Sequence, residues 1–288
     1  MLKWNLSLLI CFFTLSIMAQ EKQAYRIFDK KGKSVEYAEM LKDAAKKDVV
    51  FFGELHNNPI AHWLQIELTR DLFKKTKGDL VLGAEMFERD DQLLIDEYYA
   101  DYISQKSFED EARIWPNYDT DYKPLVEFAK DKGIPFIATN IPRRYASLVF
   151  REGIEALNEL SEEAKRYIAP LPIEIDLELP AYADMMNMMG GHAEGNVKFP
   201  QAQAIKDATM AHSIFESLPK KHQFIHYNGS YHTDRYQGII WYLEQYAPRL
   251  SFFSVKTIEQ EKLDQLAEEQ LGTADYIIVI PGSMTKTY

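Results

Sequence analysis

Six short apolar runs constrain this chain more than any other feature. They lie at residues 48–53, 79–85, 134–140, 223–227, 251–255 and 276–280, and helical patterns separate most of them. A short apolar run bounded by turn signals suits a strand buried on both faces, and strands alternating with helices pair in parallel between helical layers. After the first run, Asn58 and Pro59 supply a helix cap and a first helical position, and Ile60, Leu64 and Leu68 mark one apolar face. The expected fold class is therefore α/β, a mostly parallel sheet flanked by helices. Residues 145–222 break the rhythm: two helical patterns, a proline-rich stretch at 170–180, methionines at 185–189 before Gly190, Gly191 and His192, then another helical stretch near 202–218. They are expected to form an α-helical insertion capping the C-terminal edge of the sheet, within a single domain over residues 20–288.

The first 19 residues differ from the rest. Lys3 precedes a continuous apolar run that ends at Ala19, the layout of a secretory signal peptide. Ile10 stands before Cys11 where a lipoprotein signal carries a small residue, so lipid anchoring is not expected. Cys11 is the only cysteine, and the processed chain would have no thiol for a disulfide, a nucleophile or a metal ligand. The formal charge of -11 becomes -12 once Lys3 is removed, which argues against nucleic acid as a partner. The expected location is the periplasm or cell envelope.

In a parallel α/β sheet, the loops leaving the C-terminal ends of strands form the ligand crevice. Here those ends carry unusual chemistry. The first run ends in Gly53, Glu54 and His56, and the second in Glu85. The third ends in Asn140 with Arg143 just after, and the fourth leads into Asn228, Gly229 and His232. Two Gly-x-x-His segments thus follow two apolar runs. His56, Glu85 and His232 suit a divalent metal such as Mn, Zn or Co, with Glu54 as a base on bound water and Arg143 for an anionic group or oxyanion. Glu54 could instead be a structural partner of Arg143. His62, in the first turn of the following helix, could face the crevice, whereas His226 reads as a core histidine and His212 as a packing residue. The methionine-rich stretch suits a flat apolar ligand such as haem, with Tyr182, His192 or a methionine such as Met186 as axial ligand.

These residues carry a resemblance. The chain is similar to the ChaN-like haem-binding family, a branch of the Tiki/TraB-type superfamily that also holds erythromycin-esterase-like enzymes. The shared pattern is GELH at 53–56, Glu85, Arg143 and GSYH at 229–232. EMFERDDQ at 85–92, Trp115, YKPL at 122–125, ATNIPRR at 138–144 and KDATMAH at 206–212 agree with it, and the likeness spans about residues 46 to 245. It implies haem binding tied to iron acquisition in the envelope, with an envelope haem receptor or transporter and a homodimer as partners. It also implies a rival, a metal-dependent peptidase or esterase using the paired histidines and a glutamate. A non-catalytic interaction module would leave the polar strand ends without a role.

Overall fold

In a computed structural model of the chain, residues 22–188, 197–218 and 222–288 are described. The chain opens with β1 (Arg26–Asp29), β2 (Ser34–Val35) and α1 (Tyr37–Ala44), followed by β3 (Val49–Glu54), α2 (Pro59–Lys75) and β4 (Leu80–Glu88). Helices α3 (Gln92–Tyr99), α4 (Gln105–Glu111) and α5 (Lys123–Lys132) lead to β5 (Phe136–Asn140). Next come α6 (Arg143–Glu152), α7 (Glu162–Lys165), α8 (Pro180–Met188) and α9 (Lys198–Ser217). Strand β6 (Gln223–Gly229), α10 (Ile239–Tyr246), β7 (Phe252–Gln260) and β8 (Tyr276–Pro281) complete the described elements.

The strands form one eight-stranded sheet in the order β2-β1-β8-β7-β3-β6-β4-β5. From β8 to β5 every pairing is parallel, and β1 and β2 add an antiparallel edge. The α/β class expected from the apolar runs is thus observed. All six residues of β3 are buried because both faces are covered. Val50 and Phe52 point into a core shared with α2 and α5, and Val49 and Phe51 into a core shared with α6, α9 and α10. Asn58 caps α2 as its sequence position requires, its side chain accepting from the amides of Ile60 at 3.0 Å and Ala61 at 3.3 Å.

The segment between β5 and β6 divides its work. Helix α9 completes the helical layer on one sheet face. Helix α8 lies over the C-terminal end of β6, where Tyr182 reaches Asp207 and the Ala181 carbonyl accepts from the Tyr231 hydroxyl. Among the described residues, no helix is long and apolar enough to cross a membrane.

Two details of register build the site. Strands β3 and β6 align so that Gly53 faces Asn228 and Glu54 faces Gly229, which puts the two Gly-x-x-His segments side by side. Strand β4 bulges against β5, four residues from Ala84 to Glu88 spanning what two residues span from Ala138 to Asn140. A bulge re-aims side chains at a strand end, and this one carries Glu85.

Candidate functional site

Each glycine of the paired segments makes room for the other segment. A Cβ on Gly53 would lie 2.9 Å from the Cα of Ser230 and 3.0 Å from the Val255 carbonyl oxygen. A Cβ on Gly229 would lie 2.7 Å from Nε2 of His56. The Ser230 hydroxyl stitches the strand ends, 3.1 Å from the Glu54 carbonyl oxygen and 3.0 Å from that of Thr257. The repeated spacing therefore has a packing cause: the two turns interlock.

Around the first segment, Glu54 is buried and accepts from three sides. Its Oε1 takes the Tyr122 hydroxyl at 2.7 Å and lies 2.8 Å from Nδ1 of His56, while its Oε2 takes the Gln65 amide. Arg143 is not its partner. His62 is buried, its ring nitrogens 3.0 Å from Gln65 Oε1 and 3.0 Å from the His56 carbonyl oxygen. It braces the turn from inside the protein. The His56 ring is about a third exposed and meets Trp115 edge-on at 4.9 Å between ring centres. Burial alone would lower the His56 pKa, but the carboxylates of Glu54 and Glu85 outweigh it and raise it.

Around the second segment, His232 is buried between two carboxylates. Its Nε2 lies 3.1 Å from Glu85 Oε1, and its Nδ1 donates to Asp207. Glu85 also accepts the Gly229 amide at 2.7 Å, and Asp207 accepts the Tyr182 hydroxyl at 2.8 Å. Burial opposes charge on the imidazole, but Glu85 and Asp207 overcome it and push the pKa up to about 10. The Glu85 carboxyl is held below the ordinary range against the opposite pull of burial, by His232, His56 and the Gly229 amide. The surroundings of His232 thus favour its charged form, each ring nitrogen facing a carboxylate. His56, Glu85 and His232, the residues read as metal ligands, are brought together at the paired strand ends, with His232 between Glu85 and Asp207; among the described residues no group of three His, Cys, Asp or Glu side chains is spaced to hold a metal.

Several other expected residues are occupied with structure. Asn228 is fully buried, donating to the Gly229 carbonyl at 2.9 Å and Thr233 at 3.2 Å, with its Oδ1 3.0 Å from His226 Nδ1. His226 is the core histidine anticipated, and burial lowers its pKa to about 4. Tyr182 and Met186 are fully buried, and burial raises the Tyr182 phenol far above its usual value, which disfavours a phenolate ligand in this conformation. His192 lies outside the described residues. Asn140 donates to the Glu85 carbonyl at 3.0 Å, and its Oδ1 is buried without a partner. Asp207, Gln65 and Tyr122 were not anticipated as members of the network. Asp207 had one signal, a lone acid among small apolar residues in QAIKDATMA.

Two cavities flank the histidine pair. One, about 640 Å³, is lined by His56, His232, Lys256, Glu259 and Tyr288 among others. The other, about 400 Å³, lies between α6 and α9, with Glu85 and Asn140 on its floor and Trp115, Phe150 and Phe199 on its walls.

Residues 40–243 match the family profile described as haem-binding uptake, Tiki superfamily, ChaN. The chain belongs to this family. ChaN of Campylobacter jejuni, solved with cofacial haem, has the same fold: TM-score 0.69 at 17% identity, covering 91% of this chain and 99% of that one. An erythromycin esterase aligns with TM-score 0.47 at 9% identity, covering 90% of this chain and 83% of that one, too remote to bear on the chemistry of this ChaN-family chain. Among curated proteins, RETICULATA-RELATED 5, a chloroplastic protein of Arabidopsis thaliana, is 28% identical over 128 residues, 42% of this chain. The match covers only 17% of that relative's length.

Proposed function

We propose that this protein binds haem as the cargo of iron acquisition, in the cavity between α6 and α9. The observation that carries the reading is the character of that cavity in a member of the haem-binding uptake family. At about 400 Å³ it is within the size range of ligand pockets, and its walls are aromatic and small apolar side chains that offer a face to a porphyrin ring. Trp115, Phe150 and Phe199 supply area, while Ala146 and Ala202 leave the space open. Bound there, haem would contribute the iron and its absorption band, and the protein contributes an apolar, partly enclosed surface. ChaN of Campylobacter jejuni, which shares the fold, binds haem cofacially.

Titration of the purified protein with haemin tests this directly. A saturable shift of the Soret band is expected, and Ser147→Trp, at an exposed position on the cavity wall, should weaken it while leaving the thermal melt little changed. A wild-type protein giving no saturable shift would overturn the reading.

The apolar leader at residues 1–19 supports an extension of the proposal: the protein works in the periplasm or envelope, exchanging haem with a receptor or transporter there. Cell fractionation with mass analysis of the recovered chain should find it exported and starting at Gln20. We propose a homodimer as its working form. Sedimentation with and without haemin should show two chains, and a monomer under both conditions would rule it out.

A further inference from the structure

The cavity walls come from two helices that use the same spacing. Helix α6 presents Arg143, Ala146, Ser147 and Phe150, and α9 presents Phe199, Ala202, Gln203 and Lys206. Each set falls at i, i+3, i+4 and i+7, a single stripe along a helix. The order of the side chains is reversed between them: α6 begins with a cation and ends with an aromatic ring, and α9 does the opposite. The helices run antiparallel, because Phe150 meets Phe199 at 6.1 Å between ring centres and Lys198 donates to the Arg151 carbonyl at 2.7 Å. Both aromatic residues therefore sit at one end of the cavity and both cations at the other. Seven residues of helix put about 10 Å between the ends.

Among the described residues the charges at the cationic end are uncompensated. Glu88 on the cavity wall is spent on Arg113, at 2.9 Å, and Glu85 on His232. Asp90 takes the neighbouring Arg144, at 2.5 Å. Lys206 has only a long contact to the amide oxygen of Gln203, 3.5 Å, and among the described residues no carboxylate pairs with Arg143 or Lys206. In a chain of net charge -11, this pocket has two cations at one end with no carboxylate paired to either among the described residues.

We infer that Arg143 and Lys206 are a carboxylate clamp, which selects tetrapyrroles bearing free propionates along one edge and orients that edge away from Phe150 and Phe199. The inference rests on the proposed haem site and adds its specificity. A planar guanidinium suits bidentate capture of one carboxylate, and an ammonium on a flexible stem can follow the second. Because both cations face solvent, the selectivity should be modest, on the order of tenfold for the pair.

The test compares haemin with haemin dimethyl ester, which keeps the ring and iron and loses both negative charges. Wild-type protein should bind haemin about tenfold more tightly than the ester, and the ratio should shrink as salt is raised. In the double variant Arg143→Gln, Lys206→Gln the ratio should fall to about one. In Arg143→Lys, Lys206→Arg, which keeps both charges, most of it should survive. Iron-free protoporphyrin should show the same preference over its own ester, since the clamp does not act through the metal. Equal binding of haemin and ester by the wild type would overturn the clamp and leave the haem site standing. Binding of neither would overturn both.

Discussion

The two Gly-x-x-His segments have the same spacing and adjacent registers, yet their histidines differ in kind. His56 is part-exposed, is oriented through one nitrogen by Glu54 and has a raised pKa. His232 is buried, charged and held at both nitrogens by carboxylates from β4 and α9. A shared local motif thus fixes the backbone turn, and the elements packed on it decide what the imidazole does. His232 is held between carboxylates and ties three elements together, and His56 is the more exposed of the two histidines that line the larger cavity.

Substitution should separate the two sharply. His232→Ala leaves Glu85 and Asp207 buried without the cation between them, and breaking a buried ionic network costs about 3–5 kcal/mol. His56→Ala leaves Glu54 with the Tyr122 hydroxyl and the Gln65 amide, at a solvent-screened site, so about 1 kcal/mol or less is expected. Denaturant unfolding of both variants measures the difference. Equal losses would mean that the asymmetry of burial has no energetic counterpart.

The pH dependence of stability sharpens the same contrast. His232 titrates near 6.5 in an unfolded chain and at about 10 in the fold, so its contribution is fully present below pH 6.5 and lost as pH rises toward 10. Glu85, with its folded pKa lowered, contributes above about pH 4.5 and loses that contribution as pH falls. The network is therefore strongest between about pH 4.5 and 6.5, and on the alkaline side stability should decline by up to about 1.4 kcal/mol per pH unit. Denaturation midpoints measured from pH 5 to 10 should show this decline in the wild type and a flatter limb in His232→Ala. An alkaline limb unchanged by the substitution would assign the decline to another group.

Much of this was readable in the chain because burial on both faces of a parallel sheet leaves uninterrupted apolar runs such as residues 49–52. Strands β1 and β2 left no such trace: they are four and two residues long, and their antiparallel pairing at the edge needs no apolar run. Glu54, His56, Glu85 and His232 were recognisable as strand-end residues, and register brings them together. Their partners were not, since Gln65, Tyr122 and Asp207 come from elements whose angle of approach no local pattern encodes. Tyr182 and Met186 suggested ligands by chemical type, but they lie on the inward side of α8, where burial gives the same residues a packing role. The segments of α6 and α9 were legible only as helical patterns. Their opposition across a cavity depends on the antiparallel docking of helices separated by some 45 residues of chain.

A last comparison concerns the glycines, and it probes the interlock itself. A methyl group on Gly53 would press on backbone, at Ser230 and the Val255 carbonyl, which cannot move without shifting β6 and β7. On Gly229 it would press on the outer end of the His56 ring, which can rotate toward the cavity at the loss of its contact with Glu54. Overpacking of a tight site costs about 1–3 kcal/mol, so Gly53→Ala should fall toward the upper end of that range and Gly229→Ala toward the lower. The second substitution should also displace His56, so its ring should titrate closer to the ordinary histidine value in an NMR pH series. If Gly229→Ala proved the more damaging and left the His56 titration where it was, the ring would be a fixed part of the wall, and the difference in mobility drawn between the two histidines would fail.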